Sequence, residues 1–252
     1  MSDDELTQVQ RSDVDLVIRS GVPDGRPYDE YKQTLRRDFL YSCAYCTMSE
    51  AEAQAIRFTI DHYEPKSARP DLECVYSNLM YACDECNTRK GPRTVPEVAR
   101  ADGIRFFRPD QDQFADHFAR QGLLLKGLTK LAEFTVDAVD LNRLSLRRIR
   151  ELRIRLSNCE ELVAAGIRGL STFRIDQLPP HIRKRAQEAI QQLSDANDSM
   201  EAAIRKILHE YAKSALIDEN PDGEQERQER LQRLRGTEAL YPEASWRASS
   251  KK

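Results

Sequence analysis

Two pairs of cysteines constrain the fold of this chain more than any other feature of its sequence. Cys43 and Cys46 form one C-x-x-C motif, and Cys83 and Cys86 form a second. Thiolates at this spacing chelate a metal from one tight turn, and two such turns complete a tetrahedral four-cysteine site with no open position for chemistry. The sequence therefore predicts a structural Zn²⁺ site, with two pairs of ordinary buried cysteines as the alternative.

The stretch between the pairs indicates that the site encloses another element. It is 36 residues long, from 47 to 82, whereas a simple zinc ribbon has ~15–20 residues between its cysteine pairs. The enclosed stretch contains the dipeptide Asp61-His62. Structural zinc contributes ~10–16 kcal/mol to the folding of model peptides. That free energy is ample to hold a small hairpin that lacks a core of its own.

Composition places the chain among soluble, helix-rich proteins. Charged residues make up 32% and aromatic residues 7% of the 252 residues. No apolar run approaches the ~20 residues that a membrane span needs, and the acidic, polar start is unlike a signal peptide. We expect a cytoplasmic protein without membrane contact. Disulfides are not expected there, which favours metal as the role of the cysteine pairs.

Local patterns divide the chain into four segments. Residues 1–27 are an acidic, extended or loosely ordered lead-in, 28–110 are the core with the zinc site, 111–245 are helical, and 246–252 are a disordered tail. Within the core, spacing predicts a helix over 28–40 and a strand over 56–60, and a further helix ends at Lys90 before Gly91-Pro92. The predicted fold class is α+β, mostly α.

The helical region contains two amphipathic patterns. Apolar residues share one face over 141–156, and a second such helix covers 200–211. Arg143, Arg147 and Arg150 lie roughly opposite the first apolar face. This stripe is able to follow DNA phosphates or to pair with an acidic partner, and a solvated helix face is the plain alternative.

Several ordered motifs lie within and around the zinc pairs. They are CAYC at 43–46, IDHYEPKS at 60–67, SNL at 77–79 and CDECNTRKG at 83–91. Together they resemble the HNH endonuclease family, over about a fifth of the chain. The fold that this resemblance implies is the ββα-metal finger, a hairpin packed on one helix around a divalent ion.

The resemblance also implies roles for five residues. His62 is the general base, because imidazole titrates near working pH. Asp61 and Asn87 are oxygen ligands of a catalytic Mg²⁺ or Mn²⁺, Asn78 holds the loop that directs His62, and Lys90 meets a phosphate. The substrate is DNA, with RNA left open. Many family members carry His at the position of Asn87. The amide oxygen of Asn87 is a harder ligand than imidazole and favours Mg²⁺ over softer ions.

Taken singly, each of these residues also has a structural interpretation. Asp61-His62 is then a loop pair, Asn78 a helix cap and Lys90 a favourable charge at a helix C-terminus. A nonenzymatic zinc finger that binds nucleic acid or protein is therefore the alternative to a nuclease. His117, His181 and His209 lie outside the motifs, and we expect them to be surface or packing residues.

A second resemblance covers the stretch after the motifs. RFFRPDQDQFADHF at 105–118 and FTVDAVDLNRLSLRRIREL at 134–152 resemble the extension found in the small nuclease subunit of Septu-type antiphage defence systems, which works beside an ATPase. This resemblance implies that the C-terminal helices dock an ATPase or another partner. A helical cap on the finger is the alternative.

Overall fold

The computed structural model describes residues 16–53, 56–171, 188 and 223–247. The chain divides into two compact units, one made of residues 1–146 with 220–252 and the other of residues 147–219. All the residues of the predicted site lie in the first unit. The expected mixture of helix and strand is confirmed, with two small antiparallel sheets among the described residues.

The described part of the N-terminal lead-in, residues 16–27, is extended and mostly exposed, and it is bound to the core near its start. Val17 is buried, and its N–H donates to the carbonyl of Pro109. The Arg19 guanidinium binds Asp110 at 2.7 Å and donates to the carbonyl of Leu79 at 2.8 Å. Residues 1–15 lie outside the described residues. Val17 and Arg19 thus contact the core, and the boundary at 27 stays a prediction.

The first sheet and the helix after it carry the predicted site. Strand β1 (Phe58–His62) pairs antiparallel with β2 (Leu79–Cys83), and His62 lies opposite Leu79. The strand is shifted from the predicted 56–60, so that Asp61 and His62 are its last residues. Helix α2 (Asp84–Lys90) follows β2 directly and ends at Gly91, whose φ of 54° favours glycine.

The predicted helix near residue 28 is present in two parts. A 3-10 turn (Tyr28–Tyr31) leads into α1 (Lys32–Asp38). Buried Tyr31, Leu35 and Phe39 give it an apolar face, as the spacing of Tyr31, Leu35 and Phe39 predicts. This face lies against β2.

The region after residue 110 is not entirely helical. A short helix, α3 (Glu97–Ala101), lies before this region, and a second, α4 (Phe114–His117), lies near its start. A hairpin follows α4 and is formed by β3 (Phe118–Gln121) and β4 (Leu124–Gly127). Gly122 at the turn has a φ of 60°, which suits a two-residue hairpin connection. The sequence interpretation missed this hairpin because each strand has only four residues.

Three longer helices complete the described fold: α5 (Lys130–Val139), α6 (Leu144–Ser171) and α7 (Gly223–Ala239). The helix predicted from residue 141 therefore begins three residues later, after a left-handed Asp140. The helix predicted over 200–211 lies outside the described residues. Among the described helices, none is both long and apolar enough to cross a membrane.

An aromatic cluster packs beside α5 in the core of the first unit. Phe106 contacts Phe134, and Phe134 contacts Trp246, with ring centroids 5.1 and 5.7 Å apart. Trp246 is buried, and its carbonyl accepts the N–H of Thr94. The expectation of a disordered tail from residue 246 is thus wrong for Trp246 and Arg247, because the indole fills the core. Residues 248–252 lie outside the described part.

Candidate active site

The four predicted cysteines converge on one point. The sulfurs of Cys43, Cys46, Cys83 and Cys86 all lie within 4.8 Å of one another, and the Cys46 and Cys83 sulfurs are 3.8 Å apart. Zn–S bonds of about 2.3 Å in a tetrahedron separate the sulfurs by about 3.8 Å. The cluster therefore fits a closed zinc site, and its four cysteines form no disulfides.

Backbone hydrogen bonds shape the first cysteine turn. The N–H of Cys43 donates to the carbonyl of Met48, and the N–H of Thr47 returns to the carbonyl of Cys43. Thr47 is left-handed, with a φ of 60°, which lets the chain reverse after Cys46. The N–H of Ala44 donates to the carbonyl of Tyr81, and this bond fixes the turn against β2.

The second cysteine turn is formed where β2 meets α2. Cys83 ends the strand and Cys86 lies in the first turn of the helix, and both are buried. Burial opposes ionisation of Cys46, but hydrogen bonds from the other three thiols lower its pKa. The same contacts raise the pKa of Cys83. Four thiols this close cannot all ionise unaided, and a divalent metal ion would compensate their charge.

Arg143 contacts this cluster from the turn between α5 and α6. Its guanidinium lies 3.4 Å from the sulfur of Cys86 and 2.7 Å from a carboxylate oxygen of Glu85. The predicted arginine stripe is therefore not a solvated face, because Arg143 and Arg150 are both buried. Arg143 precedes the helix and compensates charge at the cysteine cluster.

Asp61 is buried and has a partner on each carboxylate oxygen. The hydroxyl of Tyr45 donates to Oδ2 at 2.5 Å, and the ammonium of Lys90 donates to Oδ1 at 3.0 Å. Lys90 also donates to the carbonyl of His62 at 2.7 Å. With 1% of its surface exposed, Lys90 has a different environment from the phosphate-facing one that the sequence suggested. The phosphate contact stays a prediction.

His62 is held in one orientation on the opposite side of β1. Its Nε2 lies 3.0 Å from the carbonyl oxygen of Glu73, and its ring meets Tyr28 edge-on with centroids 5.0 Å apart. Because a carbonyl only accepts hydrogen bonds, Nε2 carries the proton and Nδ1 keeps a free lone pair. Burial lowers the imidazole pKa below 6.5, although the nearby Asp61 charge raises it.

Asn78 joins the loop after His62 to the start of β2. Its side-chain oxygen accepts the N–H of Glu64 at 2.8 Å, and its amide donates to the carbonyls of Glu64 and Leu72. Its own carbonyl accepts the N–H of Tyr63. The residue is buried, so these bonds are protected from water and fix the chain on both sides of the loop.

Asn87 lies beside the same face of β1 as Asp61. Its amide donates to the hydroxyl of Thr59 at 3.0 Å, and Thr59 and Asp61 point to one side because side chains alternate along a strand. The Asn87 amide oxygen and the carboxylate of Asp61 are hard donors of the kind that Mg²⁺ or Mn²⁺ takes. A carboxylate has about four lone-pair positions, of which Tyr45 and Lys90 occupy two. By donor chemistry, Asp61 and Asn87 match the ligands of such a divalent ion.

The sequence interpretation missed two residues at the site. Tyr45 was treated only as part of a C-x-x-C motif, and Arg143 only as part of a helix face. Spacing carried no signal for either contact, because each one joins elements that are distant in sequence. His117 is half-buried and bonds the hydroxyl of Thr129, as expected of a packing residue. His181 and His209 lie outside the described residues.

Comparison with known proteins supports the resemblance seen in the motifs. Residues 43–93 match the HNH endonuclease family. The chain is also similar to the Septu protein PtuB of Bacillus thuringiensis, with 28% identity over 120 residues. That match covers 48% of this chain and 43% of the relative, so less than half of either protein is compared. No solved structure shows significant similarity.

Proposed function

We propose that this chain is a metal-dependent HNH-type endonuclease that hydrolyses phosphodiester bonds of DNA. The observation that carries this proposal is the state of His62 within the family-matched segment 43–93. Its tautomer is fixed through Nε2, and its lowered pKa leaves it neutral near pH 7. A neutral imidazole held in one orientation is suited to accepting a proton from water.

The residues would divide the chemistry as follows. His62 would accept a proton at Nδ1 from the attacking water, whose oxygen forms a bond to phosphorus while the bond from phosphorus to the 3′ oxygen breaks. The departing 3′ oxygen takes a proton from bulk water. Asp61 and Asn87 would hold a Mg²⁺ or Mn²⁺ ion, which would supply positive charge to the reacting phosphate. Asn78 keeps the loop after His62 in place through Glu64.

The four-cysteine cluster has a structural role in this proposal. It has four protein ligands and therefore no position for substrate. The closed zinc site joins the turn at Cys43 to the start of α2, where Asn87 directly follows Cys86. Zinc would thus stabilise the sheet and helix that present the catalytic groups.

A plasmid-nicking assay with Mg²⁺ or Mn²⁺ tests the activity. We expect His62→Ala to lower the nicking rate by about 10²–10⁴-fold, which is the usual contribution of a general base. His117→Ala is the matched control, because this imidazole bonds Thr129 and we expect no change in rate. Equal loss of supercoiled DNA by wild type and His62→Ala would refute the role of His62. Single-stranded DNA and RNA in the same assay identify the preferred substrate.

A nonenzymatic zinc finger is the second candidate, and one observation favours it. The carboxylate of Asp61 is 4% exposed and already bonded through both oxygens, as in a purely structural ion pair. This candidate predicts nucleic-acid or protein binding without cleavage. It also predicts no change in that binding when His62 is replaced by Ala.

We further infer that the chain acts beside an ATPase in antiphage defence. The similarity to the Septu protein PtuB supports this role, and the C-terminal helices would dock the ATPase. Phage plating on cells that carry the chain together with a Septu-type ATPase tests the inference. Protection should require both proteins and an intact His62, and protection by the His62→Ala variant would contradict it.

A further inference from the structure

Tyr45 belongs to the first cysteine turn, between Cys43 and Cys46 in the sequence. Its main-chain N–H is 3.5 Å from the sulfur of Cys43, and its side chain is buried, with 2% of the residue exposed. Edge-on contact with Phe106, at 6.5 Å between centroids, supports the ring. The position of this ring therefore follows directly from the geometry of the first cysteine turn.

The Tyr45 hydroxyl reaches out of the cluster to Asp61. It donates to Oδ2 at 2.5 Å. A carboxylate only accepts hydrogen bonds, so the phenol is the donor, and a hydrogen bond to a buried carboxylate is among the strong ones.

The other oxygen of Asp61 is bound from the second cysteine turn. Lys90 lies one helical turn after Cys86 in α2, and its ammonium donates to Oδ1 at 3.0 Å. Both contacts that orient the carboxylate therefore originate from residues anchored at the cysteine cluster. The Tyr45 phenol is neutral and does not repel a metal ion on Asp61, whereas the Lys90 ammonium is a cation and does.

We propose that Tyr45 is a positioning residue that orients the Asp61 carboxylate for the catalytic divalent ion. This inference rests on the proposed function, since it assigns Asp61 as a metal ligand. With Oδ2 held by the phenol, the carboxylate keeps lone pairs directed away from Lys90. Without the phenol, the carboxylate is free to rotate and to bind the Lys90 ammonium through both oxygens. A divalent ion would then compete with that ammonium for Asp61.

Manganese binding by the zinc-loaded protein without DNA tests this proposal. Electron paramagnetic resonance of free Mn²⁺ gives both the number of sites and the Kd. We expect Tyr45→Phe to raise the Kd roughly 10- to 100-fold, the usual effect of losing a partner that orients a metal ligand. The zinc content should stay at one ion per chain, because the four cysteines are unchanged.

Tyr31→Phe is the matched control. Tyr31 is equally buried, with 1% of the residue exposed, and its hydroxyl donates to the carbonyl of Pro23 at 2.8 Å. Tyr31→Phe removes the same hydroxyl oxygen as Tyr45→Phe, but Tyr31 does not bond Asp61. The Kd of Tyr31→Phe for Mn²⁺ should therefore match that of the wild type.

The number of sites and the Kd separate positioning from folding. Partial unfolding lowers the number of Mn²⁺ sites without weakening those that remain, whereas misorientation of Asp61 raises the Kd of every site. A Kd in Tyr45→Phe equal to that of wild type overturns the role of Tyr45 and leaves the proposed nuclease intact. Failure of wild type to bind Mn²⁺ at all overturns both.

Discussion

Replacing Arg143 with methionine tests how the cysteine cluster is joined to the rest of the fold. The guanidinium donates to the carbonyl of Asp140 at 3.1 Å and lies 2.7 Å from Glu85 and 3.4 Å from the sulfur of Cys86. Methionine fills much of the same space but offers no charge and no donor. The variant therefore leaves the cysteine cluster without this cation, and Glu85 keeps its contact with Arg89, at 3.4 Å.

The loss of stability follows from the burial of this pair. The side chains of Arg143 and Glu85 are 7% and 19% exposed. Removing one partner of a buried ion pair costs about 3–5 kcal/mol. Since Glu85 retains some contact with water, we expect the lower end, about 3 kcal/mol. For a domain of this size that corresponds to a fall in Tm of roughly 6–12 °C.

Calorimetry in saturating zinc measures this effect, and a chelator challenge measures zinc release at the same time. We expect Arg143→Met to lower the Tm and to release zinc faster than wild type. Arg120→Met is the control, because Arg120 lies exposed on β3 and its loss should leave both values unchanged. If the Tm of Arg143→Met lies within about 1 °C of the Tm of Arg120→Met, Arg143 does not stabilise the fold through its charge.

Three further predictions concern stability. Burial raises the pKa of Asp110, but hydrogen bonds and charges from Arg108 and Arg19 bring that pKa below its ordinary value of 3.8. The ionised carboxylate therefore stabilises the fold above about pH 4. This stabilisation is lost as the pH falls through the lowered pKa. The difference in unfolding free energy between wild type and Asp110→Asn should accordingly shrink in acid, and a constant difference would contradict this. Gly127→Ala should cost about 1–3 kcal/mol, because a Cβ would overlap the α5 backbone, whereas Gly236→Ala, in open space, should not destabilise in the same urea titration. Trp246→Ala should lower stability by about 3–5 kcal/mol, and an unchanged urea midpoint would mean that the tail does not pack.

The cysteine cluster and the elements next to it were predictable from sequence because their signals are local. A C-x-x-C motif places two thiolates on one turn, so the metal-binding role of Cys43 and Cys83 could be predicted from four consecutive residues each. The end of α2 at Gly91 was equally predictable, since glycine there adopts a left-handed φ. The match of residues 43–93 to the HNH endonuclease family reflects this concentration of local constraints.

Contacts between distant segments could not be read from the sequence. Arg143 has the spacing of a helix-face residue, and only the fold shows that it precedes α6 and meets Cys86. Trp246 lies in a polar terminal stretch, yet tertiary packing against Phe134 buries it. Nothing in the sequence indicated the contacts between the Lys90 ammonium and oxygens of Asp61 and His62.

The four-residue strands after α4 show the same limit at the level of secondary structure. The side chain of Asn142 pairs with both the N–H and the carbonyl of Leu125, and this distant partner stabilises a hairpin too short to be stable alone. Within the Asp-Leu-Asn-Arg stretch at 140–143, Asn142 therefore holds the hairpin while Arg143 contacts the cysteine cluster.

Anomalous diffraction from zinc-loaded crystals soaked in Mn²⁺ most directly tests whether a cysteine-bound zinc organises a separate hydrolytic metal site. We predict a zinc signal among Cys43, Cys46, Cys83 and Cys86, and a distinct manganese signal in contact with oxygens of Asp61 and Asn87. Manganese found only elsewhere, or cysteines joined as disulfides in place of zinc, would contradict it.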